Sequence, residues 1–129
     1  MLSNASVHPT VPTTDLERAR DFYEGVLGLD LVMDRGDSVV YKCSDTYLTV
    51  YQRPTASSGQ HTVASFNVDN LDDVVDEMLD RGIVFDTFEV PGVELDWDDR
   101  GIVQMEDMRG GWFKDPDGNV LAIGEFPME

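Results

Sequence analysis

Residues 13–32 read TTDLERARDFYEGVLGLDLV, and residues 68–85 read VDNLDDVVDEMLDRGIVF. Both stretches open with a polar cap and an Asx–Leu pair, continue in a helical pattern, and pass through a glycine into an apolar run. The Asx–Leu pairs start at Asp15 and Asn70, and few other side chains are identical. The order of elements is therefore repeated, and an internal repeat decides the fold before any single motif does.

Each copy predicts one amphipathic helix. The first should begin with a capping box of Thr14 and Glu17, and Gly28 should end it in a left-handed conformation. The second should be capped by Asp69 or Asn70 and end at Gly82. The predicted apolar stripes are Leu16, Ala19, Tyr23, Val26 and Leu27 in the first helix, and Leu71, Val74, Val75, Met78 and Leu79 in the second.

Strand patterns surround both helices. They cover SVHPTVP before the first helix, HTVASFNV before the second, and Leu29–Asp34, Ser38–Cys43, Tyr47–Gln52, Ile83–Val90, a stretch around Ile102–Met105, Gly111–Lys114 and Val120–Phe126. Each half thus reads βαβββ, which makes the chain an α+β protein of two modules, about 5–53 and 61–129, joined by a polar linker at about 54–60. Residues 91–101, PGVELDWDDRG, have no counterpart in the first half and are interpreted as an inserted loop.

Two βαβββ modules with TTDLERARDFYEGVLGL near the start and GGWFKDPDGNVLAI near the end resemble the vicinal oxygen chelate superfamily. This group contains glyoxalases, bleomycin-resistance proteins and extradiol dioxygenases. The resemblance implies that each module curls its mixed sheet into an open cup, and that two cups line one cavity. It also implies a homodimer, since single-chain members of this size usually pair.

Enzymes of this superfamily usually hold one divalent metal at up to four equivalent positions, two in each module. The resemblance places these positions at His8, Thr49, Val63 and Ala122. Only His8 is a usual ligand, because valine and alanine donate nothing and threonine replaces a carboxylate poorly, whereas such metals need three or four donors. We therefore expect no cofactor, and the alternative is one divalent metal such as Ni, Zn, Mn or Fe.

Neighbouring donors do not restore a metal site in this pattern. His61 shares a strand face with Val63 but lies roughly 6–7 Å along the strand. Glu125 should point away from the face of Ala122 unless a bulge intervenes, and Glu106 and Asp107 lie near the insertion.

Charge and size exclude several function classes. The chain has 129 residues and a net charge of −17, which suits one compact unit and repels nucleic acid. The acidity would attract a cationic ligand, although a solvated, halophile-like surface gives the same composition. No apolar run approaches a membrane span, and no leader pattern is seen at the N-terminus. Cys43 cannot form an intrachain disulfide and is predicted to be a small buried hydrophobe, with a reactive thiol as the alternative, so we expect a cytoplasmic protein.

Aromatic side chains offer walls for an organic ligand. The candidates are Tyr47, Tyr51, Phe66, Phe88, Trp97, Trp112 and Phe113, although Phe66 and Phe113 also suit an ordinary core. The predicted ligand-binding residues are His8, Thr49, Tyr51, Val63, Trp97, Trp112 and Ala122. Trp97 either covers the cup mouth or packs against a neighbouring surface.

Three functions stay open at this level. The first is a protein that binds and sequesters a small organic molecule in a metal-free cup, as bleomycin-resistance proteins do. The second is an enzyme, either a metal-dependent glyoxalase-type lyase or isomerase, a ring-cleaving dioxygenase, or a metal-free variant that uses His8 as acid or base. The third is a regulatory partner domain with a vestigial cavity.

Overall fold

A computed structural model of the protein describes residues 1–56 and 59–125. Ser57 and Ser58 of the predicted linker, and Phe126 at the end of the last predicted strand, lie outside the described residues. The chain divides into two compact units. Unit 1 contains Met1–Gly59 and the turn Pro116–Asn119, and unit 2 contains Gln60–Asp115 and the strand that begins at Val120.

Unit 1 is a four-stranded mixed sheet with one helical segment. Its strands are β1 (Thr10–Thr13), β2 (Asp30–Asp34), β3 (Ser38–Cys43) and β4 (Thr46–Gln52), in the order β1-β4-β3-β2 with only β1 and β4 parallel. Helix α1 (Leu16–Arg20) continues as a π-helical turn over Asp21–Val26. Tyr23 of that turn stacks on Tyr41 of β3 at a centroid distance of 6.1 Å, and both rings are buried. The alternating apolar residues of β3 and β4 thereby form the core of unit 1.

The start of α1 differs from the predicted capping box. Asp15 is the N-cap, and its Oδ1 accepts a hydrogen bond from the Arg18 backbone N–H at 3.1 Å. Thr14 instead donates from its backbone N–H and from its hydroxyl to Asp117 Oδ1, at 2.9 and 2.8 Å. The prediction was wrong because the partner of Thr14 is distant in sequence. The predicted stop at Gly28 is confirmed by its φ of 72°.

Within unit 1, two side chains hold the turn Pro116–Asn119. The Asp117 carboxylate, with a side chain only 1% exposed, accepts from the Thr13 hydroxyl, from Thr14 and from Arg18. Asn119 Nδ2 donates to the Pro12 carbonyl at 2.8 Å. Burial alone would raise the pKa of Asp117, but the hydrogen bonds from Thr13 and Thr14 and the Arg18 charge outweigh it, so the pKa lies below its usual value.

Unit 2 is a five-stranded mixed sheet with one long helix. Its elements are β5 (Thr62–Asn67), α2 (Leu71–Asp80), β6 (Asp96–Trp97), β7 (Val103–Met105), β8 (Met108–Lys114) and β9 (Val120–Glu125). The strand order is β5-β9-β8-β7-β6, with β5 and β9 parallel. Helix α2 begins after Asn70 and ends before Gly82, as predicted, and buries Leu71, Val75 and Met78.

One strand prediction and one loop prediction in unit 2 were wrong. Ile83–Val90 forms no strand and makes only isolated bridges, at Asp86 and at Val90. Its burial alternates only over residues 83–85, and β7 already occupies the edge of β8 over Met108–Gly110, which leaves one pairing position, at Trp112. The predicted loop 91–101 instead contains the two-residue strand β6, which pairs with β7.

The architecture is α+β, with two open mixed sheets of four and five strands, as the βαβββ repeat predicts. In unit 2 the three strands after the helix are β7, β8 and β9, and β6 is an addition from the insertion. No helix within the described ranges has the length and apolar character needed to cross a membrane.

Candidate functional site

One face of the unit 2 sheet carries the tryptophans. Trp112 on β8 pairs with Ala122 on β9, which pairs with Ser65 on β5. Directly paired residues point to the same side of a sheet, so these three share a face. Trp97 pairs with Val103, whose partner Gly110 is two residues from Trp112, so Trp97 lies on that face as well. We call this face the open face of unit 2.

Helix α2 covers the opposite face. Arg109 lies three residues before Trp112 on β8 and therefore points to the other face of the sheet. Its guanidinium donates to Asp72 of α2 at 2.8 and 3.1 Å. Phe113 shares the face of Arg109 and is 1% exposed, with Phe85 packed edge-on at 5.9 Å. Phe66 pairs with the buried Ile123 on the same side. Phe113 is therefore a core residue, and the half-buried Phe66 lies on the same helix-covered face, so neither forms a wall on the open face.

Three aromatic rings meet on the open face of unit 2. Phe88 lies 5.4 Å from Trp97 and 5.0 Å from Trp112, measured between ring centroids. The two tryptophans lie 6.1 Å apart, and all three pairs are edge-to-face, with interplanar angles of 67–75°. Phe88 is 43% exposed and both tryptophans are half-buried. We call these rings the aromatic cluster; they form an accessible wall held by mutual contacts.

Local sequence explains why the cluster forms. Gly110 and Gly111 precede Trp112, and neither position has room for a side chain. A Cβ on Gly110 would lie 2.8 Å from the Ile123 carbonyl oxygen, and one on Gly111 would lie 2.7 Å from Ile102 Cδ1. The glycines thus let β8 approach its neighbours closely. Trp112 is the next residue of β8 and the first after them that carries a side chain.

One carboxylate stands beside the cluster. Asp86 forms an antiparallel bridge with Trp112, and its backbone N–H donates to the Trp112 carbonyl at 2.8 Å. The Asp86 side chain therefore belongs to the open face. Lys114, two residues beyond Trp112, approaches Asp86 with its Nζ at 3.9 Å. This distance is at the limit for an ion pair, and both side chains are about half exposed, so the carboxylate stays accessible.

Positions 63 and 122 bring no metal donor to the open face. Ala122 is 6% exposed and lies between Ser65 and Trp112. Val63, 38% exposed, stands at a register shift between β5 and β9. Neither side chain can coordinate an ion. Within residues 1–56 and 59–125, no three His, Cys, Asp or Glu side chains are grouped so that they could hold a metal.

The other predicted site residues lie on the face of the unit 1 sheet that points away from the Tyr41 core. Thr49 pairs with Thr10, and Tyr51 pairs with Pro12. His8 precedes β1 and meets the Tyr47 ring edge-on at 5.4 Å. Lys42 Nζ lies 4.8 Å from the centre of the same ring. His8, Thr49 and Tyr51 therefore share one face in unit 1, whereas Val63, Trp97, Trp112 and Ala122 belong to unit 2.

The helical side of unit 1 carries an open groove of about 730 Å³. Its lining includes Arg20 and Glu24, which are joined at 2.7 Å. The buried Tyr41 hydroxyl donates to Glu24 at 2.9 Å. The Arg20 hydrogen bond lowers the pKa of Glu24, and burial raises the pKa of Tyr41. Because each of these groups has a charged partner, the network attaches the π-helical turn to β3.

Cys43 has the properties of a structural residue. Its side chain is half-buried, and burial followed by the nearby Asp30 charge raises the pKa of the thiol. A raised pKa leaves little thiolate at neutral pH, so Cys43 is a poor nucleophile.

The family follows from a match that runs almost the full length of the chain. Residues 5–123 match the model of the Glyoxalase/Bleomycin resistance protein/Dioxygenase superfamily. The chain belongs to this superfamily. The resemblance of the βαβββ repeat is thereby confirmed, together with the fold class. No curated protein matches the sequence.

Several solved structures share this fold. The chain resembles TnmS3, an antibiotic binding protein from Streptomyces sp. CB03234, with 26% identity, a TM-score of 0.69, and coverage of 97% of this chain and 98% of that one. It also resembles a bleomycin resistance determinant encoded on the transposon Tn5, with 17% identity, a TM-score of 0.68, and coverage of 97% and 100%. A lactoylglutathione lyase from Agrobacterium tumefaciens has 19% identity, a TM-score of 0.68, and coverage of 98% of both chains.

Sequence reasoning named the members of the aromatic cluster but missed their surroundings. Asp86 was not recognised because its place beside Trp112 comes from a single bridge. Arg100 was missed because two of its partners, Asp72 and Asp76, lie on α2. The available signal was the arginine within DWDDRG, which is the only basic residue in the acidic insertion.

Proposed function

We propose that this superfamily member binds a small planar organic molecule, preferably a cation, on the aromatic cluster of unit 2. The observation that carries the proposal is the packing of Phe88, Trp97 and Trp112 on the open face, where the rings are held by one another and stay accessible. Such rings offer flat apolar area at a low cost in side-chain entropy. The antibiotic binding protein TnmS3, at 26% identity, supports a small-molecule ligand, and sequestration is the role that we propose.

Electrostatics support a cationic ligand. Indole rings attract cations through their faces, by about 0.5–2 kcal/mol depending on desolvation. Asp86 adds a negative charge beside Trp112, and the whole chain carries −17. A planar cation would therefore gain from stacking and from charge together, whereas a neutral ring of the same shape would gain from stacking alone.

The same proposal treats binding as independent of a metal. Ala122 and Val63 provide no metal donor, so a ligand on the open face would contact the aromatic cluster and the Asp86 carboxylate without a bridging ion. The competing function is a metal-dependent lyase, isomerase or dioxygenase that uses Ni, Zn, Mn or Fe. Elemental analysis after dialysis against each ion, with His8→Ala for comparison, distinguishes the two. About one metal per subunit or per dimer, lost in His8→Ala, would contradict the metal-free proposal.

The binding test uses two probes of one shape. N-methylquinolinium is a planar cation, and quinoline is its neutral counterpart at pH 7.5. Calorimetric titration should show tighter binding of the cation, by about 1 kcal/mol. Phe88→Leu should weaken both probes because it removes an aromatic ring and leaves an apolar side chain. Phe66→Leu makes the same change on the helix-covered face of the sheet and should leave both affinities unchanged.

Three results would contradict this proposal. One is the absence of any binding by either probe at millimolar concentration. Another is equal weakening by Phe88→Leu and Phe66→Leu, which would indicate a general loss of structure. The third is equal affinity for both probes, which would remove the preference for cations and leave only stacking.

Assembly and location belong to the same proposal. We expect a homodimer, as the superfamily resemblance implies, and light scattering of the purified protein would measure its mass. We also expect a cytoplasmic protein, which fits a chain with one half-buried cysteine. Fractionation of cells that produce it would test this location.

A further inference from the structure

One side chain fastens the turn after β6 to helix α2. Arg100 donates to Asp72 at 2.7 Å, to Asp76 at 3.1 Å and to Asp98 at 3.0 Å. Its side chain is 22% exposed, so it is more enclosed than any of its three partners. A planar guanidinium can hydrogen-bond several carboxylates at once, and the ammonium group of lysine does so less well. Arg100 therefore links the turn to two successive turns of α2.

The backbone of this turn has a single compact arrangement. Asp98 Oδ1 accepts from the backbone N–H groups of Arg100 and Ile102, both at 2.9 Å. The Asp98 backbone N–H donates to the Ile102 carbonyl at 2.8 Å. Gly101 adopts a φ of 90°, and a Cβ there would lie 3.0 Å from Phe85 Cβ. Movement of the turn would break this arrangement as a whole.

Trp97 stands directly before that turn and has little other support from the backbone. It belongs to β6, a two-residue strand at the edge of the sheet that pairs only with β7. A strand this short is marginal without additional contacts. The orientation of the Trp97 ring against Trp112 and Phe88 therefore depends on where the following turn is held.

We infer that Arg100 is a positioning residue, which holds Trp97 in the aromatic cluster by binding the β6–β7 turn to α2. The inference rests on the proposed function for its consequence in ligand binding, but the position of Trp97 can be measured without any ligand. Within the described residues, the hydrogen bonds of the Arg100 guanidinium go to carboxylates and not to the aromatic cluster, so its effect on the cluster would be indirect.

The first measurement follows Trp97 alone. In a Trp112→Phe background Trp97 is the sole tryptophan, because the chain contains only two. Arg100→Gln should raise acrylamide quenching of Trp97 fluorescence and shift its emission to the red. Arg81→Gln is the matched control, since Arg81 also binds a carboxylate of α2, Glu77, at 2.9 Å. It should leave both signals unchanged.

The second measurement uses N-methylquinolinium with both tryptophans present. Arg100→Gln should weaken binding about two- to tenfold, the cost of ordering one side chain on binding. Arg100→Lys keeps the positive charge but loses the planar guanidinium. Its affinity for N-methylquinolinium should lie between those of the parent protein and Arg100→Gln. If Arg100→Gln does not fold, Arg100→Lys decides the comparison in both measurements.

The outcomes separate this inference from the proposed function. Unchanged quenching of Trp97 in Arg100→Gln, with the protein folded by circular dichroism, overturns the inference. Increased quenching together with no probe binding by the parent protein sinks the proposed function and leaves the positioning role standing. Weaker binding without a change at Trp97 also overturns the inference, because the effect would then come from charge alone.

Discussion

At the scale of single residues, the carboxylate of Asp117 is held by several hydrogen bonds. Its side chain is 1% exposed, and its two oxygens accept from the Thr13 hydroxyl, the Thr14 backbone N–H, the Thr14 hydroxyl and Arg18. Charged acceptors that are buried and fully bonded contribute more than neutral ones. Asp117 therefore joins the turn at 116–119 to the start of α1, within unit 1.

Asp117→Asn should lower the free energy of unfolding by about 1.5–3 kcal/mol, the range for hydrogen bonds to charged groups. Asparagine has the same shape but lacks the charge, and one of its terminal atoms donates where an acceptor is needed. Urea unfolding at pH 7 would measure the loss. Asp45→Asn, in the exposed turn between β3 and β4, is the control. A midpoint for Asp117→Asn equal to that of Asp45→Asn would show that the buried bonds contribute nothing.

The pH dependence of that loss has a definite sign. Because the folded pKa of Asp117 lies below its usual value, the carboxylate stabilises the protein above the pKa of an unfolded aspartate, about 3.9. This stabilisation is lost as the pH falls through the folded pKa. The difference in stability between the parent protein and Asp117→Asn should be constant from pH 7 to pH 5 and shrink below pH 4. A difference that grows on acidification would contradict the assignment.

At the scale of elements, close packing of β8 depends on its paired glycines. A Cβ on Gly110 would meet backbone, the Ile123 carbonyl oxygen at 2.8 Å, whereas a Cβ on Gly25 in the π-helical turn would meet no described atom within 4 Å outside its own helical backbone and its chain neighbours. Gly110→Ala should therefore destabilise by about 1–3 kcal/mol through overpacking. Gly25→Ala should be neutral or slightly stabilising, since alanine favours helical backbone. Thermal unfolding would compare them, and equal melting temperatures would contradict the packing argument.

Much of the element order could be predicted from sequence. Local signals predicted this order, namely the Asx–Leu pairs and the glycines at 28 and 82. The failures have a common cause in long-range contacts. Thr14 bonds to the distant Asp117, so Asp15 caps α1 instead. Ile83–Val90 forms no strand because β7 occupies the edge of β8. The π-helical turn after Arg20 left no signal in the pattern.

The candidate site was predicted only as a set of residues. Trp97 and Trp112 were predicted because aromatic side chains often form the walls of ligand sites. Ala122 was predicted because the superfamily resemblance places a metal-ligand position there. Their contact depends on strand register, which a sequence pattern does not determine when the pairing strand has two residues. The same limit hid the bridge that places Asp86 beside Trp112.

At the scale of the whole molecule, acidity is the dominant property. The chain has 26 acidic and 9 basic residues. Five of the arginines, Arg18, Arg20, Arg81, Arg100 and Arg109, bind carboxylates in the structure. Most of the remaining carboxylates are exposed, so the native state carries unfavourable repulsion that the unfolded chain relieves by expanding.

Salt should therefore stabilise the protein. The Debye length falls from about 10 Å at 0.1 M to about 3 Å at 1 M, which screens exposed charges. We expect the melting temperature to rise by several degrees over this range, because about 1 kcal/mol corresponds to roughly 2–8 °C for a chain of this size. The rise should be the same in NaCl and KCl. A double variant, Asp45→Asn with Glu94→Gln, removes two exposed charges. Its melting temperature should be higher than that of the parent protein at 0.1 M salt and should increase less up to 1 M. A melting temperature that falls with salt would contradict this prediction, because it would show that the ion pairs outweigh the repulsion between exposed carboxylates. Attraction of a cationic ligand would then explain the acidity better than a surface adapted to salt.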